Sequence, residues 1–315
     1  MAKTFDESSW ALILGGSSGF GLATAQKLAE QGMNLALVHR DRRGAMRTIE
    51  PEFEKLRGMG VAFRSWNLDA TRDEKRSLVL DELAETLGGA GRVRVLLHSI
   101  AFGNLKLLVR QKVEPRSAPR ALAEKLGVDP QALVAAADGL LEEGEDGVHP
   151  LVTPPNYSET SFLDEDDFAR TILSMGTSLL GWTQGVFERG LFADTARIFG
   201  LTSEGNEVAW KGYAAVSSAK VALEALARSI AVEYGPHGLR CNVIQAGITD
   251  TPALRAIPGN EQLVAQARLR NPGGRLTEPR DVANVIYLLS REEAGWINGE
   301  VIRVDGGEHV SGVTR

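Results

Sequence analysis

Short apolar runs alternate with amphipathic segments along the first third of the chain. Mainly apolar, strand-like runs predict strands at 10–16, 34–40, 61–68 and 92–100. The segments between these strands repeat apolar residues at helical spacing and predict helices at 20–32, 44–58 and 71–89. Because strands joined through helices pair in parallel, this order predicts a parallel sheet with helices on both faces.

The alternation stops after Gly103 and resumes near residue 165. Residues 104–160 contain two short helical patterns and then a proline-rich stretch. Beyond them, strands are predicted at 194–202, 239–247 and 299–307, and helices at 165–189, from the Lys220 segment to 234, at 259–269 and at 279–290. The simplest architecture is a single α/β domain over 1–315, a doubly wound parallel sheet of the Rossmann type, with a helical insertion at 104–160.

Composition and charge argue against several classes of partner. The chain has 315 residues and a formal net charge of −6, and its basic residues form no dense patch along the sequence. Nucleic acid and stable membrane association are therefore not expected. The N-terminus lacks an apolar signal-peptide core and no apolar run reaches membrane-spanning length, so a cytoplasmic protein is expected.

Cysteine and histidine usage gives no sign of a metal centre. The chain contains one cysteine, Cys241, so no intrachain disulfide can form, and the thiol is interpreted as a small buried hydrophobe. The five histidines show no spacing typical of metal ligands. No metal site is therefore predicted.

A glycine-rich turn, LGGSSGFGLATA, joins the first predicted strand to the first predicted helix. Its glycines permit a tight turn and let backbone N–H groups approach a pyrophosphate at the positive end of the helix. Such turns are common, but this one lies in the first unit of an alternating chain, which favours nucleotide binding. The predicted cofactor contacts in this loop are Gly15, Ser17, Ser18, Gly19, Phe20 and Gly21.

The second predicted strand ends in LVHRDRR, which bears on the choice of nucleotide. An acid at the position of His39 would hold the ribose 2′-hydroxyl and repel a 2′-phosphate. Arg40 and Arg43 follow instead, and guanidinium groups bind phosphate in a bidentate manner, so NADPH is predicted over NADH. Asp41 would reverse this preference if its carboxylate turned inward. The alternative interpretation is a solvated charged loop.

Asp69 follows the third predicted strand in the stretch NLDAT. Its carboxylate either hydrogen-bonds the adenine of a bound nucleotide or caps the helix that follows, and the sequence favours neither. Leu68 beside it is also a predicted cofactor contact.

Together these motifs resemble the short-chain dehydrogenase/reductase superfamily. The resemblance rests on the glycine loop, NLDAT, Ser203, Lys220, NVIQAG and the terminal VDGG, and it covers nearly all of the chain except 104–160. Two features are similar to bacterial enoyl-acyl-carrier-protein reductases: HSIAF after the fourth strand, and Tyr213 placed seven residues before Lys220. The C-terminal third and the glycine loop resemble the NADPH-using, triclosan-tolerant branch of those reductases.

The spacing of Tyr213 and Lys220 is compatible with one shared site. At 100° per residue, seven residues return the side chain to within about 20° of the same helix face, two turns away. A donor four residues before Lys220 would also lie near that face, but Val216 stands there and cannot donate a proton. Tyr213 is therefore expected about one turn farther along the axis, or just before the helix begins.

Conjugate reduction gives this displacement a chemical meaning. In a ketone, the carbon that receives hydride also carries the oxygen that needs a proton. In a 2-enoyl thioester, hydride goes to Cβ and charge develops on a carbonyl oxygen attached two carbons away, so the hydrogen-bond donor must shift to follow it. A tyrosine moved by one turn fits the second reaction.

The resemblance implies roles for the residues that match the family motifs. Lys220 would bind the nicotinamide ribose hydroxyls, and its charge would favour the tyrosinate and the developing enolate. Tyr213 would hydrogen-bond the thioester carbonyl. Ser203 occupies the place of the superfamily's catalytic serine and either orients the carbonyl or caps a turn. The remaining cofactor contacts implied are Ser99, Ile100, Ala101, Lys220, Gly247, Thr249 and Thr251.

Two features depart from the superfamily pattern. The fourth-helix asparagine of many short-chain reductases is absent from LSMGTSLLG, which weakens the case for the usual ketone-reducing proton relay. The insertion follows HSIAFG directly and is expected near the substrate, at the carboxyl ends of the strands. It is either functional, as a lid, an acyl-channel wall or a carrier-protein platform, or a surface or oligomer-contact excursion.

The leading hypothesis is reduction of 2-enoyl thioesters on acyl carrier protein by NADPH, in fatty acid or polyketide synthesis. The second is a short-chain carbonyl, 3-oxoacyl or hydroxysteroid reductase, against which Val216 argues. The third is a catalytically idle NADPH-binding regulator, against which the pair of Tyr213 and Lys220 argues. The resemblance also implies a homo-oligomer, with a tetramer built from the helices at 165–189 and 213–234.

Overall fold

The structure is a computed structural model that describes residues 3–111, 117–157 and 161–312. The strands in this part of the chain are β1 (Ser9–Leu14), β2 (Asn34–His39), β3 (Phe63–Asn67), β4 (Arg92–His98), β5 (Phe192–Ser203), β6 (Arg240–Ala246) and β7 (Val301–Val304). They form one sheet in the order β3-β2-β1-β4-β5-β6-β7, and all neighbouring strands are parallel. The predicted parallel sheet is therefore confirmed.

Helices cover both faces of this sheet. They are α1 (Gly19–Glu30), α2 (Met46–Arg57), α3 (Asp73–Leu87), α4 (Ser117–Leu126), α5 (Pro130–Glu142), α6 (Glu165–Ile172), α7 (Ser178–Glu188), α8 (Ala214–Glu233), α9 (Pro252–Arg255), α10 (Asn260–Arg270) and α11 (Pro279–Leu289). None of the described helices is long and apolar enough to cross a membrane.

Two apolar clusters form the core, one on each face of the sheet. Trp182 of α7 and Leu223 of α8 are fully buried on one face, and Phe53 of α2 and Ile286 of α11 are buried on the other. Because both faces are covered, the strands read as uninterrupted apolar runs, and every residue of β1 and β2 is buried. This is why the strands were visible in the sequence.

The direction in which the chain adds strands reverses beside β1. From β1 the chain proceeds outward through β2 to β3, and then returns to place β4 on the other side of β1. Such a switch point opens a crevice at the carboxyl ends of the strands, where ligands bind in sheets of this kind. The glycine loop between β1 and α1 lies at this switch point.

The segment predicted as a helix over 165–189 contains a wider turn in its middle. Leu173–Thr177 is a π-helical turn between α6 and α7. An ideal Cβ on Gly176 would lie only 2.7 Å from the carbonyl oxygen of Ala219 in α8. The glycine therefore lets the turn pack directly on α8, which was not predicted. Turns of this kind often occur at functional sites.

The segment 104–160 departs from the βα alternation, as predicted. Its described part holds α4, α5 and a short 3₁₀ turn at Asp146–Val148, so both predicted helical patterns are confirmed. Pro130 opens α5, and the side chain of Asp129 caps it by accepting the N–H of Ala132. Residues 112–116 and 158–160 of the predicted insertion lie outside the described residues.

Candidate active site

A cavity of about 510 Å³ opens at the carboxyl ends of β4, β5 and β6. The predicted site residues that line it are Phe20, Ser99, Ile100, Ala101, Ser203, Tyr213, Lys220, Gly247, Thr249 and Thr251. His39, Arg40, Leu68 and Asp69 follow or end β2 and β3, on the other side of β1, and they do not line the cavity. The predicted residues thus fall into two groups, one at each end of the crevice.

Tyr213 directly precedes α8, and its ring packs against Gly205 and Ser203. An ideal Cβ on Gly205 would lie 2.5 Å from Tyr213 Cε1 and 3.5 Å from Ser203 Oγ. A side chain at position 205 would therefore displace the ring. Sequence reasoning overlooked this glycine, although its place two residues after Ser203 was a usable signal.

The hydroxyl groups of Tyr213 and Ser203 face the same space. Burial raises the pKa of Tyr213, and the nearby Ser203 hydroxyl offsets part of that rise. Ser203 Oγ is buried and has no hydrogen-bond partner of ordinary geometry among the described residues. It does not cap the turn at Glu204–Asn206. Of its two interpretations, turn capping is therefore wrong, and the hydroxyl is available to a ligand in the cavity.

Lys220 lies two turns into α8 and is buried. Its Nζ donates a hydrogen bond to the carbonyl oxygen of Leu201 at 2.8 Å. Burial lowers the pKa of Lys220 to about 8, and the carboxylate of Glu224, one turn further along the helix, acts in the opposite direction. Glu224 is held by the Thr202 hydroxyl at 2.5 Å and by the Asn206 side-chain amide at 2.8 Å.

Val216 fills the slot between Tyr213 and Lys220. It is buried, and it packs with Met175 of the π-helical turn and with Ala219. Gly103 closes this contact from the other side, where an ideal Cβ would lie 3.0 Å from Val216 Cγ2. The position that would carry the proton donor of a Tyr-x3-Lys site is therefore a packed apolar wall.

His98 ends β4 beside the π-helical turn. Its Nε2 lies 2.8 Å from Ser178 Oγ, and the Ser178 hydroxyl also donates to the carbonyl oxygen of Ser174 at 3.2 Å. Burial and, to a smaller extent, the charge of Lys220 lower the pKa of His98 to about 3. His98 is therefore a neutral, hydrogen-bonded core histidine. The turn itself offers serine hydroxyls where many short-chain reductases have asparagine.

The glycine loop fits a pyrophosphate on geometric grounds. Gly15 and Gly19 adopt positive φ angles of 87° and 53°. An ideal Cβ on Gly21 would lie 2.0 Å from the carbonyl oxygen of Gly15, so α1 can approach the loop only if position 21 is glycine. Ser18 precedes α1 without a side-chain capping bond, which leaves N–H groups of the first turn for a ligand.

At the end of β2, the side chain of Asp41 has the orientation that argues against NADPH. His39 is buried, and its Nδ1 lies 2.8 Å from Asp41 Oδ2, so the Asp41 carboxylate turns inward. Asn67 fixes this loop by accepting the Asp41 N–H at 2.9 Å and donating to the Asp41 carbonyl at 3.0 Å. A carboxylate thus lies beside the slot where an acid would hold a ribose 2′-hydroxyl. Arg43 is exposed.

Arg40 reaches across the crevice, although its side chain is 47% exposed. Its Nη1 lies 2.9 Å from Asp69 Oδ2, and its guanidinium lies 4.1 Å from the ring centroid of Phe102. Arg40 follows β2 and Phe102 follows β4, so their contact passes above the end of β1. Asp69 also accepts the N–H and hydroxyl of Thr71, and it forms this turn without capping α3. Phe102 was not among the predicted contacts.

A charged cluster surrounds the loop that follows β6. Arg270 at the end of α10 lies 2.6 Å from Glu204 and 3.0 Å from Glu308. The other oxygen of Glu308 accepts the N–H of Ile248 at 3.2 Å, and burial raises the pKa of this carboxyl although Arg270 opposes the rise. Four separate segments are thereby tied around the cavity. Nothing in the sequence pattern had indicated this cluster.

The threonines of the same loop make local hydrogen bonds. Thr249 Oγ1 donates to the Gly247 carbonyl at 3.0 Å, and Thr251 Oγ1 caps α9 by accepting the Leu254 N–H at 3.2 Å. Thr251 is thus a turn residue that also lines the cavity. Elsewhere, Cys241 is buried in β6, as predicted, and burial raises the pKa of its thiol. No group of three or more potential metal ligands occurs within residues 3–111, 117–157 and 161–312.

Two family profiles match most of the chain. Residues 148–309 match the profile described as enoyl-(acyl carrier protein) reductase, and residues 9–113 match the one described as short chain dehydrogenase. Residues 114–147 fall between the two matches. The relatives below align along nearly the whole chain, so an insertion relative to them stays a prediction.

Known proteins with related chemistry are similar to this chain. The (3R)-3-hydroxyacyl-CoA dehydrogenase of Canis lupus familiaris is 25% identical over 308 residues, 95% of this chain and 96% of its own length. A probable 2,4-dienoyl-CoA reductase of Bacillus subtilis is 25% identical over 304 residues, 96% of this chain and 97% of its own length. Among solved structures, FabI from Candidatus Liberibacter asiaticus has a TM-score of 0.73 at 18% identity, with 100% of both chains covered.

Two further structures differ in their bound nucleotide. A short-chain dehydrogenase from Burkholderia cenocepacia in complex with NADP covers 96% of this chain and 98% of its own, and an enoyl-(acyl-carrier-protein) reductase from Anaplasma phagocytophilum in complex with NAD covers 100% and 96%. Each has a TM-score of 0.68 at 18% identity. Likeness at this level establishes the fold and not the choice of nucleotide.

The seven-stranded parallel sheet, the glycine loop at its switch point and the buried lysine beside the cavity define a Rossmann-type oxidoreductase. The chain belongs to the short-chain dehydrogenase/reductase superfamily, and the profile matched by its C-terminal half is that of the enoyl-(acyl carrier protein) reductases. The predicted superfamily and fold are therefore confirmed.

Proposed function

We propose that this oxidoreductase reduces the carbon–carbon double bond of 2-enoyl thioesters carried by acyl carrier protein, with NADPH as hydride donor. The observation that carries the proposal is the geometry of α8. Tyr213 and Lys220 face one cavity, and Val216 is packed into the slot between them. A ketone reductase would need a proton donor near that slot, whereas an enolate oxygen two carbons from the hydride acceptor needs its donor farther away.

Tyr213 is the group proposed to stabilise the enolate. Because burial raises its pKa, the phenol keeps its proton at neutral pH and can donate a hydrogen bond to the thioester oxygen. The Tyr213 ring packs directly on the backbone of Gly205, which limits its movement away from the cavity. Ser203, whose hydroxyl has no protein partner of ordinary geometry in the described chain, is proposed to donate to the same oxygen.

Lys220 is the group proposed to hold the nicotinamide ribose. A bound nicotinamide cofactor supplies the hydride, and the chain positions it and favours the developing charge. With a pKa of about 8, Lys220 is largely cationic at neutral pH. Its Nζ uses one proton for the Leu201 carbonyl, which leaves its other N–H groups for ribose hydroxyls.

The walls of the cavity suit an acyl chain. Apolar side chains reach it from the loop after β4, from the π-helical turn, from the loop before α8 and from the segment that follows β6, and they include Ile100, Leu105, Met175, Trp210, Leu254, Ile257 and Leu263. Burying methylene groups against such side chains favours binding by roughly 0.8 kcal/mol for each.

The preference for NADPH over NADH rests on opposing groups. Arg40 and Arg43 could bind a 2′-phosphate, and the inward carboxylate of Asp41 would repel it. An inward Asp41 was expected to reverse the preference for NADPH, but its carboxylate is hydrogen-bonded to His39 Nδ1. We therefore propose that the arginines still bind the 2′-phosphate, with Arg40 placed over the crevice. In an equilibrium binding measurement, NADPH is expected to bind more tightly than NADH, and Asp41→Asn is expected to widen the difference. Tighter binding of NADH to the parent protein would overturn this assignment.

We also propose that the protein is cytoplasmic and forms a homotetramer. Leu180 of α7 and Val221 and Val232 of α8 are exposed although they are large and apolar, and these helices correspond to the predicted contact helices. Burying them between subunits would remove this apolar surface from water. Mass measurement in dilute solution is expected to give four chains. A monomer at all concentrations would contradict the proposal.

The deciding experiment follows NADPH consumption with two thioesters. Purified protein is expected to oxidise NADPH with a crotonyl thioester and not with an acetoacetyl thioester, each presented on both acyl carrier protein and a short thiol. Consumption only with acetoacetyl thioester would establish the carbonyl-reductase alternative, which the similarity to a hydroxyacyl-CoA dehydrogenase keeps in view. NADPH binding without turnover of either substrate, long acyl chains included, would favour a non-catalytic regulator.

A further inference from the structure

The end of the segment predicted as an insertion crosses over α10. We refer to residues 146–157 as the clasp and to residues 252–270, which carry α9 and α10, as the lid. Asp146 of the clasp lies 3.2 Å from Arg268 of the lid, and the Thr153 carbonyl accepts a hydrogen bond from the Gln262 side chain at 2.8 Å. These two contacts join parts of the chain that are far apart in sequence.

A close apolar contact lies at the start of α10. An ideal Cβ on Gly259 would lie 2.3 Å from Pro155 Cγ, and the φ angle of Gly259 is 74°. Only glycine meets both requirements without a shift of the backbone. The clasp therefore touches the lid through an ion pair, a hydrogen bond and direct packing.

The clasp is itself fixed to α5. The Asp138 carboxylate accepts the Thr153 N–H at 2.8 Å and the Thr153 hydroxyl at 2.6 Å. The neighbouring side chain of Val152 is buried. Thr153 thus holds α5 through its N–H and hydroxyl, and holds the lid through its carbonyl oxygen. These bonds to α5 fix the conformation of the clasp around Thr153.

The far end of the clasp reaches the loop before Tyr213. The Tyr157 hydroxyl donates to the carbonyl oxygen of Lys211 at 3.4 Å, and Tyr157 Cε1 would lie 3.2 Å from an ideal Cβ on Gly212. Gly212 adjoins Tyr213. The clasp therefore spans from the lid to the backbone that places the proposed enolate-stabilising group.

The lid forms the outer wall of the cavity. Leu254, Ile257 and Leu263 line the cavity, whereas none of the described clasp residues does so. The clasp consequently packs on the far side of the lid from the cavity. A bulky ligand could enter or leave past this wall only if the lid moved outward, and the clasp packed behind the lid opposes that movement.

We propose that the clasp holds the lid closed over the substrate, and that Asp146, Thr153 and Tyr157 are positioning residues for substrate binding. The nature of the substrate, an extended acyl chain, rests on the proposed function, but the restraint of the lid does not. Longer chains reach more of the lid wall and gain more from its restraint. The segment 104–160 thereby acquires a role as the support of a lid.

The test opens the clasp with the double substitution D146N/Q262A, which leaves every cavity-lining side chain in place. Amide hydrogen exchange is expected to speed up in residues 260–270 and to stay unchanged in α11. If the enoyl thioester is the substrate, its KM is expected to rise about tenfold for a twelve-carbon chain and less for a four-carbon chain, because the lost contacts are of that order. The Kd for NADPH and kcat are expected to stay within about twofold of the parent.

A matched control breaks an ion pair remote from the lid. Glu30 binds Arg280 in a bidentate manner, and E30Q is expected to change neither lid exchange nor KM. Unchanged exchange in residues 260–270 of the double variant would overturn the proposal, as would an equal rise in α11 accompanied by weaker NADPH binding, which indicates general destabilisation. If the double variant does not fold, D146N alone is expected to produce a smaller change in the same direction, and no change would count against the clasp.

The hydrogen-exchange readout needs no substrate. If lid exchange responds as expected but no enoyl thioester is reduced, the clasp stands and the proposed function fails. If enoyl thioesters are reduced and lid exchange does not respond, the proposed function stands and the clasp fails.

Discussion

The two ends of the crevice are built by different means. At the glycine loop, backbone packs on backbone: an ideal Cβ on Gly15 would lie 2.4 Å from the Ser99 carbonyl oxygen, and one on Gly21 would lie 2.0 Å from the Gly15 carbonyl oxygen. Around the substrate cavity, side chains tie separate segments together, as Arg270 does with Glu204 and Glu308. One added methyl group at either glycine would break the backbone contact. Where several side-chain hydrogen bonds and ion pairs join the segments, the loss of one leaves the others in place. A single substitution should therefore have a large effect on binding at the glycine loop and a small effect at the side-chain contacts around the substrate cavity.

The largest effect is expected at Tyr213, the main hydrogen-bond donor proposed for the reacting oxygen. Tyr213→Phe should lower kcat by about 10²- to 10³-fold, the usual result of removing one oxyanion donor. The ring and its packing against Gly205 remain, so the Kd for NADPH should not change. Steady-state kinetics with an enoyl thioester and a separate binding titration check both statements. An unchanged kcat would remove Tyr213 from the mechanism.

A smaller effect is expected from one methyl group at the nucleotide end. Gly21→Ala should weaken NADPH binding by roughly ten- to a hundredfold, because the clash with Gly15 must be relieved by moving α1 away from the loop at a cost of about 1–3 kcal/mol. Fluorescence titration with NADPH measures this directly. Binding as tight as in the parent would show that the loop relaxes freely.

A glycine-to-alanine substitution in α5 is expected to be favourable, and to act on the stability of the fold instead of on NADPH binding. An ideal Cβ on Gly139, inside α5, meets no atom within 4 Å. Gly139→Ala should therefore stabilise the protein by about 0.5–1 kcal/mol, since alanine is the better helix former. Denaturant unfolding gives this difference, and NADPH affinity should not change. A loss of stability in Gly139→Ala would show that the open space around Gly139 does not make this glycine replaceable, in contrast to Gly21.

The sequence predicted those features whose signal is local or set by topology. The strands were visible because both faces of the sheet are buried. Tyr213 and Lys220 could be grouped because seven residues return a helix to nearly the same face, and Ser203 was added by the family resemblance. Other features depend on contacts between distant segments. Arg268 and Asp146 are 122 residues apart, and no local pattern records that they meet. The inward turn of Asp41 likewise depends on which partner its carboxylate finds.

The role proposed for Lys220 predicts that the reaction is sensitive to alkaline pH. Lys220 is proposed to act as a cation, and burial lowers its pKa in the folded protein to about 8. The value of kcat/KM for NADPH should therefore fall as the pH rises through about 8, well before Tyr213 ionises. Glu224→Gln removes the carboxylate that supports the positive charge, so the fall should move to lower pH. A pH profile that is flat to pH 10 would exclude a required Lys220 cation.

Among the substitutions at the crevice, the smallest effect is expected at the hydrogen bonds and ion pairs around the loop after β6. In Glu308→Gln, the neutral side chain can still accept the Ile248 N–H, but it loses its charge towards Arg270, which keeps Glu204. Because the remaining contacts share the load, the KM for NADPH should rise only a few-fold, about 1 kcal/mol, and kcat should change little. Steady-state kinetics over a range of NADPH concentrations measures the two separately. A loss as large as that of Gly21→Ala would mean that this end of the crevice is as intolerant as the glycine loop, and the contrast between the two ends would fail.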